Sequence, residues 1–311
     1  MEWLSEYEAD LEYVFSECKQ IVKQFPALLD VQAQVYLNKI DSTDKDRSKN
    51  YICYLLPFWL MEETGASFQE CQQMSIANIF CMLYFFIQDD VMDSDSAECK
   101  RQIPLANLFY SEFLTRYITY FPQGSPFWQY FKCYLAEWAD SVSNEAAADY
   151  FQSDVRRIAG KSSPLKLSST GALLLAGKEH LIPAVTDRVE RALVALQMAD
   201  DLTDWAEDLA EGSYNSLLSL ARFELKLSKE HKLTYEEVHS FLYDQLGLTR
   251  FSEIATELMV EDCTILSTPH LHAYHNSLVE SLCSSALQIE TQRKRLAQGG
   301  LYYWLSKNLE G

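Results

Sequence analysis

Apolar residues recur at helical spacing along most of the chain. The pattern runs through residues 7–25 and 27–40, stops at the charged stretch 41–47, and resumes at Tyr54. Residues at i, i+3 and i+4 share one face of a helix, so this spacing predicts amphipathic helices that each bury one side. No Asn-Gly or Asp-Gly dipeptide, the usual signal of a tight hairpin, interrupts the pattern. The sequence therefore predicts an all-α fold.

One predicted helix begins at a capping signal and ends in acidic residues. Residues 67–70 read Ser-Phe-Gln-Glu, the form of a capping box that opens a helix. The apolar pattern that follows runs into a first acidic cluster, Asp89-Asp90-Val91-Met92-Asp93-Ser94-Asp95. Asp89 and Asp93 are at i and i+4 and project from the same side of the helix, where like charges repel unless a cation lies between them.

A second acidic cluster, residues 200–208, ends another predicted helix. Val189 and Leu193 fall in one i, i+3, i+4 stripe with Asp200, Asp204 and Asp208. The acidic face thus continues an apolar face, and its carboxylates are predicted to point inward. Buried acids are costly unless they are paired or bound to a metal. Because Mg²⁺ binds few protein carboxylates and completes its shell with water and phosphate oxygens, the two clusters predict a diphosphate held between Mg²⁺ ions.

The charge balance narrows the classes of function. The 311-residue chain has 26 basic and 45 acidic residues, a formal net charge of −19. That excess opposes general binding of nucleic acid or of an anionic membrane, so an anionic ligand is expected to be bound locally. No linker rich in Gly, Pro and Ser and no shift in composition divides the chain, so residues 1–311 are predicted to form a single domain.

Cysteine usage and the lengths of the apolar runs predict a soluble, cytoplasmic protein. The 8 Cys are scattered, with no CxxC pair, which is typical of reduced thiols. The N-terminus is acidic and lacks the apolar core of a signal sequence. The longest strongly apolar run, Ile76–Ile87, is shorter than the ~20 residues that span a bilayer, so no integral membrane segment is expected.

Cations that suit a diphosphate precede the second acidic helix. Four basic residues lie in one short segment there: Arg156, Arg157, Lys161 and Lys166. Fixed positive charge at that place favours the negative charge that develops on a leaving diphosphate. The sequence leaves open which arginine and which lysine contact the diphosphate. For the arginines the alternative role is an ion pair with Asp154 or Glu145.

Several motifs together resemble those of class I isoprenoid synthases, the all-α family that includes trans-prenyl diphosphate synthases and terpene cyclases. Asp89, Asp90 and Asp93 match the DDxxD motif of that family. Lys161, the stretch 170–177 and Gln197, followed by Asp200-Asp201-Leu202-Thr203-Asp204, resemble its second half. Asp200, Asp204 and Asp208 also fit the i, i+4, i+8 spacing of the cyclase metal triad. The resemblance covers roughly residues 47–215 and implies an antiparallel helical bundle around a central active-site cavity.

Departures from the elongating members of that family indicate which reaction to expect. Those enzymes bind a second substrate, isopentenyl diphosphate, through a Gly-Gly-Lys-Arg-x-Arg-Pro segment roughly forty residues before the first motif. Residues 47–53 keep one Lys but neither the Gly pair, the Arg pair nor the Pro, and a His common in the family is missing near Met82. The resemblance therefore implies a terpene synthase, which ionises one allylic prenyl diphosphate and cyclises the carbocation. Farnesyl or geranylgeranyl diphosphate is the expected substrate.

The resemblance also implies a role for each site residue. Asp89, Asp93, Asp200 and Asp204 are the expected catalytic residues. With Asp90 and Asp208 they are expected to hold several Mg²⁺ ions that bridge the diphosphate. Three polar residues are expected to contact the substrate, and two aromatic rings are expected to line the pocket and stabilise the cation by ~0.5 to 2 kcal/mol each. These residues are Arg157, Lys161, Gln197, Phe85 and Phe86.

Other functions stay open at this point. A trans-prenyl diphosphate synthase with an unusual second-substrate site would consume isopentenyl diphosphate, whereas a cyclase would ignore it. A head-to-head synthase of the squalene or phytoene type shares the fold, and a non-catalytic helical protein could use its acidic face for binding. The sequence leaves undecided the substrate's chain length, prior cyclisation of the substrate, the product skeleton and stereochemistry. It also leaves open whether the chain forms a homodimer, which is common in that family.

Overall fold

The computed structural model describes residues 2–41, 51–93, 96–259 and 268–308, with the side chains of 2, 3, 93, 146 and 298–308 excepted. All regular structure in these ranges is helical, which confirms the predicted all-α class. Two 3₁₀ helices span Val155–Leu165 and Glu179–Leu181. The α-helices are α1 (Glu2–Ser5), α2 (Glu8–Val22), α3 (Leu29–Ile40), α4 (Tyr51–Trp59), α5 (Met61–Thr64), α6 (Phe68–Asp93), α7 (Ala97–Lys100), α8 (Ile103–Tyr120), α9 (Phe127–Ala148), α10 (Tyr150–Ser153), α11 (Lys166–Leu175), α12 (Ile182–Glu211), α13 (Ser216–Glu224), α14 (Tyr235–Tyr243), α15 (Gly247–Glu257) and α16 (Pro269–Asn308).

The contacts of the chain divide it into two compact units. The first consists of Met1–Trp138, Ser162–Val189 and Cys263–Ala273, and the second of Ala139–Lys161, Glu190–Asp262 and Tyr274–Gly311. Within the described residues, the boundaries fall inside α9, the 3₁₀ helix Val155–Leu165, α12 and α16 and not in linkers, which is why composition gives no sign of them. That residues 1–311 form a single domain stays a prediction.

The first unit is built around α6. This helix begins at the predicted capping box, which is confirmed because the Ser67 backbone N–H donates to Glu70 Oε2 at 2.7 Å and the Glu70 N–H donates to Ser67 Oγ at 3.3 Å. Helices α2, α4, α8 and α11 pack against α6. Surrounded in this way, α6 has few positions that face water, and its sequence is apolar on nearly all sides over residues 74–87.

The stretch Phe68–Met92 of α6 is also longer than the apolar run read from the sequence. Its 25 residues are long and apolar enough to cross a bilayer, and 67% of its most apolar window is buried. The core helix of a soluble bundle has these same properties. The absence of an integral membrane segment therefore stays a prediction, and the length of the run Ile76–Ile87 no longer supports it.

A buried amide joins the helices of the first unit. Asn78 of α6 is fully buried, and its Nδ2 lies 3.1 Å from the Cys53 carbonyl of α4, 3.3 Å from the Leu165 carbonyl and 2.8 Å from Ser168 Oγ of α11. The Tyr117 hydroxyl of α8 donates to Asn78 Oδ1 at 3.2 Å. A buried polar group must find partners, so this side chain fixes how four elements meet.

The second unit is organised around α13. Helices α10, α14 and α15 pack against it, and the rings of Phe151 and Phe251 meet with centroids 5.8 Å apart. Helix α14 begins at a capping box in which the Glu237 N–H donates to Thr234 Oγ1 and the Thr234 N–H donates to Glu237 Oε2. The break predicted at residues 160–164 lies within the 3₁₀ helix Val155–Leu165. That segment carries three of the four basic residues singled out above.

Replacing Asn78 with alanine is expected to destabilise the first unit. Asn78→Ala removes a hydrogen-bond partner from four buried groups, the carbonyls of Cys53 and Leu165 and the hydroxyls of Ser168 and Tyr117, and each group left unpaired costs about 1 to 3 kcal/mol. Urea unfolding of the variant should show a free energy of unfolding lower by at least that amount. Asn38→Ala, which removes an exposed amide on α3, is the control and should stay within about 0.5 kcal/mol of wild type. Equal stability of the two variants would contradict the role given to Asn78.

Candidate functional site

The first acidic cluster lies at the end of α6 in the first unit. Asp89 is half-buried and Asp90 is exposed. The Tyr36 hydroxyl of α3 donates to Asp90 Oδ2 at 2.8 Å, and burial together with this contact raises the pKa of Tyr36. Asp93 is the last residue of α6, and its side chain lies outside the described part. One oxygen of Asp90 thus serves a contact between α3 and α6.

The two aromatic residues before this cluster differ in their environment. Phe85 is 8% exposed, and its ring lies 4.7 Å from that of Trp138 and 4.9 Å from that of Tyr84. The Tyr84 ring in turn lies 4.9 Å from that of Tyr110. Phe86 is half-buried. One turn before Asp89 the first unit therefore contains a cluster of four aromatic rings. A role for Phe85 and Phe86 in lining a substrate pocket stays a prediction.

The second acidic cluster does not point inward as a stripe. Asp204 is exposed and Asp200 and Asp208 are half-buried, whereas Asp201, which is outside the stripe, is 6% exposed. The expectation of inward-facing carboxylates is wrong for Asp204. Helix geometry accounts for the difference: Asp208, seven residues after Asp201, is only about 20° away from it around the helix, whereas Asp204, three residues after Asp201, points about 60° away. Asp201 and Asp208 thus share the face that packs on residues 215–216.

The Asp201 carboxylate accepts three hydrogen bonds. Its Oδ2 accepts from the Ser216 backbone N–H at 2.8 Å and from the Ser216 hydroxyl, and its Oδ1 accepts from Gln197 Nε2 at 2.8 Å. Burial raises the pKa of the Asp201 carboxyl, and the hydrogen bonds from Ser216 and Gln197 act in the opposite direction. The buried acid is therefore held by neutral donors of the second unit, and the positive charge of Lys161 also lowers its pKa.

Asn215 fixes the turn between α12 and α13. Its Nδ2 lies 2.8 Å from the Asp201 carbonyl and 2.7 Å from Asp208 Oδ2, and its Oδ1 accepts from the N–H groups of Leu217 and Leu218 as the N-cap of α13. One buried amide thus satisfies donors at the start of one helix and acceptors near the end of another. One oxygen of Asp208, a predicted metal ligand, is engaged in this contact.

Three of the predicted substrate-binding residues line one cavity in the second unit. Arg157, Lys161 and Gln197 meet there with Asp201. The cavity has a volume of about 10 Å³, close to what one water molecule needs. Its other lining residues are Ser141, Glu145, Tyr150, Ile158 and Tyr214. The sequence separates the two cations from Gln197 and Asp201 by the whole of α11, and the fold brings these four side chains together.

Both cations of this cavity are paired with carboxylates of α9. Arg157 forms an ion pair with Asp140 and lies over the Tyr150 ring at 4.0 Å from its centroid. Lys161 Nζ lies 2.6 Å from Glu145 Oε2. The alternative ion-pair role considered for the arginines is therefore present for Arg157, with Asp140 as its partner and not Asp154 or Glu145.

The sequence left open which of Arg156 and Arg157, and which of Lys161 and Lys166, contacts the substrate. The surroundings of these residues in the structure differ. Lys166 is 1% exposed, lies in the first unit and bonds to Glu137 Oε2 at 2.6 Å beneath the Tyr134 ring. Arg156 lies outside the lining of the cavity, and its backbone N–H donates to Asp154 Oδ1. Arg157 and Lys161 are the basic residues at the cavity. Lys166 is a buried lysine whose ammonium pairs with the partly exposed carboxylate of Glu137.

Tyr214 is a cavity residue that the sequence did not reveal. Its hydroxyl donates to Asp149 Oδ1 at 3.0 Å and accepts from the Phe151 N–H at 3.0 Å. Asp149 has a left-handed backbone with φ of 46° and also accepts from Ser219 Oγ at 2.6 Å. The two partners Asp149 and Tyr214 are 65 residues apart. No spacing rule connects residues at that distance, so no pattern in the sequence could have found the pair.

A wider groove lies beside this cavity in the second unit. It has a volume of about 530 Å³ and is lined by the end of α12, residues 212–215 and α13. Asp149, Asp208 and Glu211 contribute acidic groups, and Arg222, Lys229 and Lys232 contribute basic groups. Tyr214 lines both the cavity and the groove. Within the described ranges, no three or more His, Cys, Asp or Glu side chains are grouped closely enough to hold one metal ion.

Asp201→Asn is expected to remove a pH-dependent loss of stability. Burial raises the pKa of the folded Asp201 above its unfolded value of about 3.9, so the folded state binds this proton more tightly. Stability from this group is therefore full below about pH 4 and falls as pH rises through the folded pKa. Asparagine does not ionise, and it keeps an oxygen that accepts from Ser216.

Urea unfolding at a series of pH values measures this effect. The free energy of unfolding of Asp201→Asn minus that of wild type should increase as pH rises from about 4. Asp244→Asn, which changes an exposed carboxylate of the same unit, should give a difference that does not depend on pH in the same way. A pH-independent difference for Asp201→Asn would show that burial does not disfavour the charged carboxylate.

Comparisons with known proteins identify no relative. No protein-family model, no curated protein and no solved structure matches the chain.

Proposed function

We propose that the chain is a class I terpene synthase, a Mg²⁺-dependent enzyme that ionises an allylic prenyl diphosphate, cyclises the carbocation and releases diphosphate. The observation that carries this proposal is the cavity shared by Arg157, Lys161, Gln197 and Asp201. Arg157, Lys161 and Gln197 are residues that the family resemblance assigns to substrate binding, Arg157 and Lys161 at the diphosphate. The all-α class of the described residues agrees with the helical bundle that such an enzyme requires.

The two cations of the cavity give the proposal its chemistry. The Arg157 guanidinium is planar and offers several N–H donors, and Lys161 adds a compact ammonium. Held by α9 and the 3₁₀ helix, both present positive charge before the reaction begins. Fixed charge of this kind stabilises the leaving diphosphate more than the intact substrate, because negative charge accumulates there as the carbon–oxygen bond breaks. Gln197 already holds its amide in place by bonding to Asp201.

The acidic residues supply the type of ligand that Mg²⁺ prefers. Asp200, Asp204 and Asp208 supply carboxylate oxygens near the end of α12, and Asp204 is exposed enough for a hydrated cation to reach. Asn215 engages one oxygen of Asp208 and leaves the other. With Asp89, Asp90 and Asp93 they would hold the ions. Bound Mg²⁺ supplies Lewis-acid neutralisation of the leaving diphosphate.

Aromatic rings in the first unit suit the cyclisation of the carbocation, which follows the ionisation step. A carbocation must be kept from water until its rings have closed. Phe85, Trp138, Tyr84 and Tyr110 form a cluster with little exposure at Phe85, and aromatic faces stabilise a cation without offering it a nucleophilic lone pair. We propose that Phe85 and Phe86 contribute such faces.

Product analysis tests the reaction directly. Purified protein with Mg²⁺ is incubated with geranyl, farnesyl and geranylgeranyl diphosphate, each with and without isopentenyl diphosphate. A hydrocarbon or alcohol formed from one allylic substrate alone is the expected result. Longer diphosphates that appear only with isopentenyl diphosphate would replace the proposal by chain elongation. Absence of diphosphate release with every allylic substrate would reject both reactions and leave a binding protein.

Substitution of Arg157 tests the role of the cavity. Arg157→Gln removes a positive charge that would stabilise the negative charge developing on the leaving diphosphate in the transition state. The value of kcat/KM should therefore fall about 10²-fold or more. Arg250→Gln is the matched control, because Arg250 is an exposed arginine of the same unit that pairs with Glu253. Steady-state release of diphosphate from the active substrate gives both values. A loss of the same size in both variants would exclude a specific role for Arg157.

A further inference from the structure

Two carboxylates of one helix hold the two cations of the cavity. Asp140 and Glu145 both lie in the part of α9 that belongs to the second unit. Asp140 forms an ion pair with Arg157, and Glu145 Oε2 lies 2.6 Å from Lys161 Nζ. Glu145 also lines the cavity itself. An anion that binds Arg157 and Lys161 therefore competes with these carboxylates for the same positive charges.

The size of the cavity leads to the same conclusion. Its volume of about 10 Å³ suits a single water molecule. A diphosphate, with two phosphorus atoms and seven oxygens, needs several times that space. The wall of the cavity includes Ser141 and Glu145 of α9 and Gln197 and Asp201 of α12. If the Glu145 carboxylate moves away from Lys161, the cavity gains space for the diphosphate, and the Lys161 ammonium can bind it.

Exposure distinguishes these ion pairs from a purely structural one. The side chains of Lys161 and Glu145 are 32% and 21% exposed, and those of Arg157 and Asp140 are 44% and 47% exposed. In the Lys166–Glu137 pair of the first unit, by contrast, the lysine is only 1% exposed, although its partner carboxylate is 40% exposed. Water screens partly exposed pairs, so they contribute little to stability and exchange partners at small cost. A buried lysine that lost its carboxylate would be left as an unpaired charge.

We propose that Glu145 and Asp140 are internal competitors of the diphosphate, which hold Lys161 and Arg157 until the substrate's diphosphate displaces them. This inference rests on the proposed function, because it assumes that these cations bind diphosphate. It adds that the affinity of the site for diphosphate is set below its maximum by two acidic residues of α9. Neutralising either acid should therefore strengthen the binding of diphosphate.

Calorimetric titration with inorganic diphosphate in the presence of Mg²⁺ tests this inference. Glu145→Gln keeps the shape of the side chain and removes its charge, so the Kd for diphosphate should fall roughly three- to tenfold. Lys161→Gln should raise the Kd by about tenfold or more. Glu253→Gln changes the net charge by the same amount away from the cavity, and its Kd should equal that of wild type. Asp140→Asn provides a second variant in which Arg157 is released in the same way.

The outcomes separate the inference from the function on which it rests. Tighter binding by Glu145→Gln or Asp140→Asn, with weaker binding by Lys161→Gln, supports both. Weaker binding by Lys161→Gln with unchanged or weaker binding by the two acid variants keeps the diphosphate site and rejects the competition. If neither wild type nor any variant binds diphosphate with Mg²⁺, the proposed function fails and the inference fails with it. Circular dichroism confirms that each variant is folded.

Discussion

The arrangement of the candidate site depends on one buried carboxylate. Asp201 of α12 is 6% exposed, and burial disfavours its charge, so it must find hydrogen-bond donors nearby. Ser216 at the start of α13 and Gln197 one turn earlier on α12 supply them. The need to satisfy this group fixes where α13 begins, and Asn215 strengthens the same turn by bonding both to α12 and to its own helix. Asp201 and Tyr214, which both line the cavity, are positioned by that turn.

The ion pairs of Lys166, Arg157 and Lys161 differ in how far the cation is buried, and the cost of breaking each pair differs accordingly. Lys166 is enclosed, so loss of its pairing with Glu137 would leave a buried ammonium without that carboxylate, which costs several kcal/mol. Arg157 and Lys161 are paired in partly exposed surroundings, where the same kind of contact is weak and exchangeable. The segment 156–166 therefore contains both a structural cation and cations suited to a ligand. Charge alone does not distinguish them, but exposure does.

The two units solve the problem of buried polar groups in similar ways. In the first, Asn78 connects α4, α6, α8 and α11. In the second, Asn215 connects α12 with α13. An amide suits this task because it both donates and accepts, so it can satisfy carbonyl and N–H groups at once. A hydrocarbon side chain in either place would leave several buried groups without partners, and an ionised one would add a charge that the surroundings do not neutralise.

By itself the sequence determined the helical class, the capping box at Ser67, the break near residue 160 and the basic residues that meet at the cavity, because these follow from local periodicity, local hydrogen bonding and residue chemistry. It failed where rotation along a helix mattered: the i, i+4, i+8 stripe predicted inward carboxylates, yet Asp204 is exposed and Asp201 is buried. Only the tertiary structure decided the partners of Arg157 and Lys161, the burial of Lys166 and the contact of Tyr214 with Asp149. Those contacts join residues far apart in the chain, and their energies depend on burial that no local pattern contains.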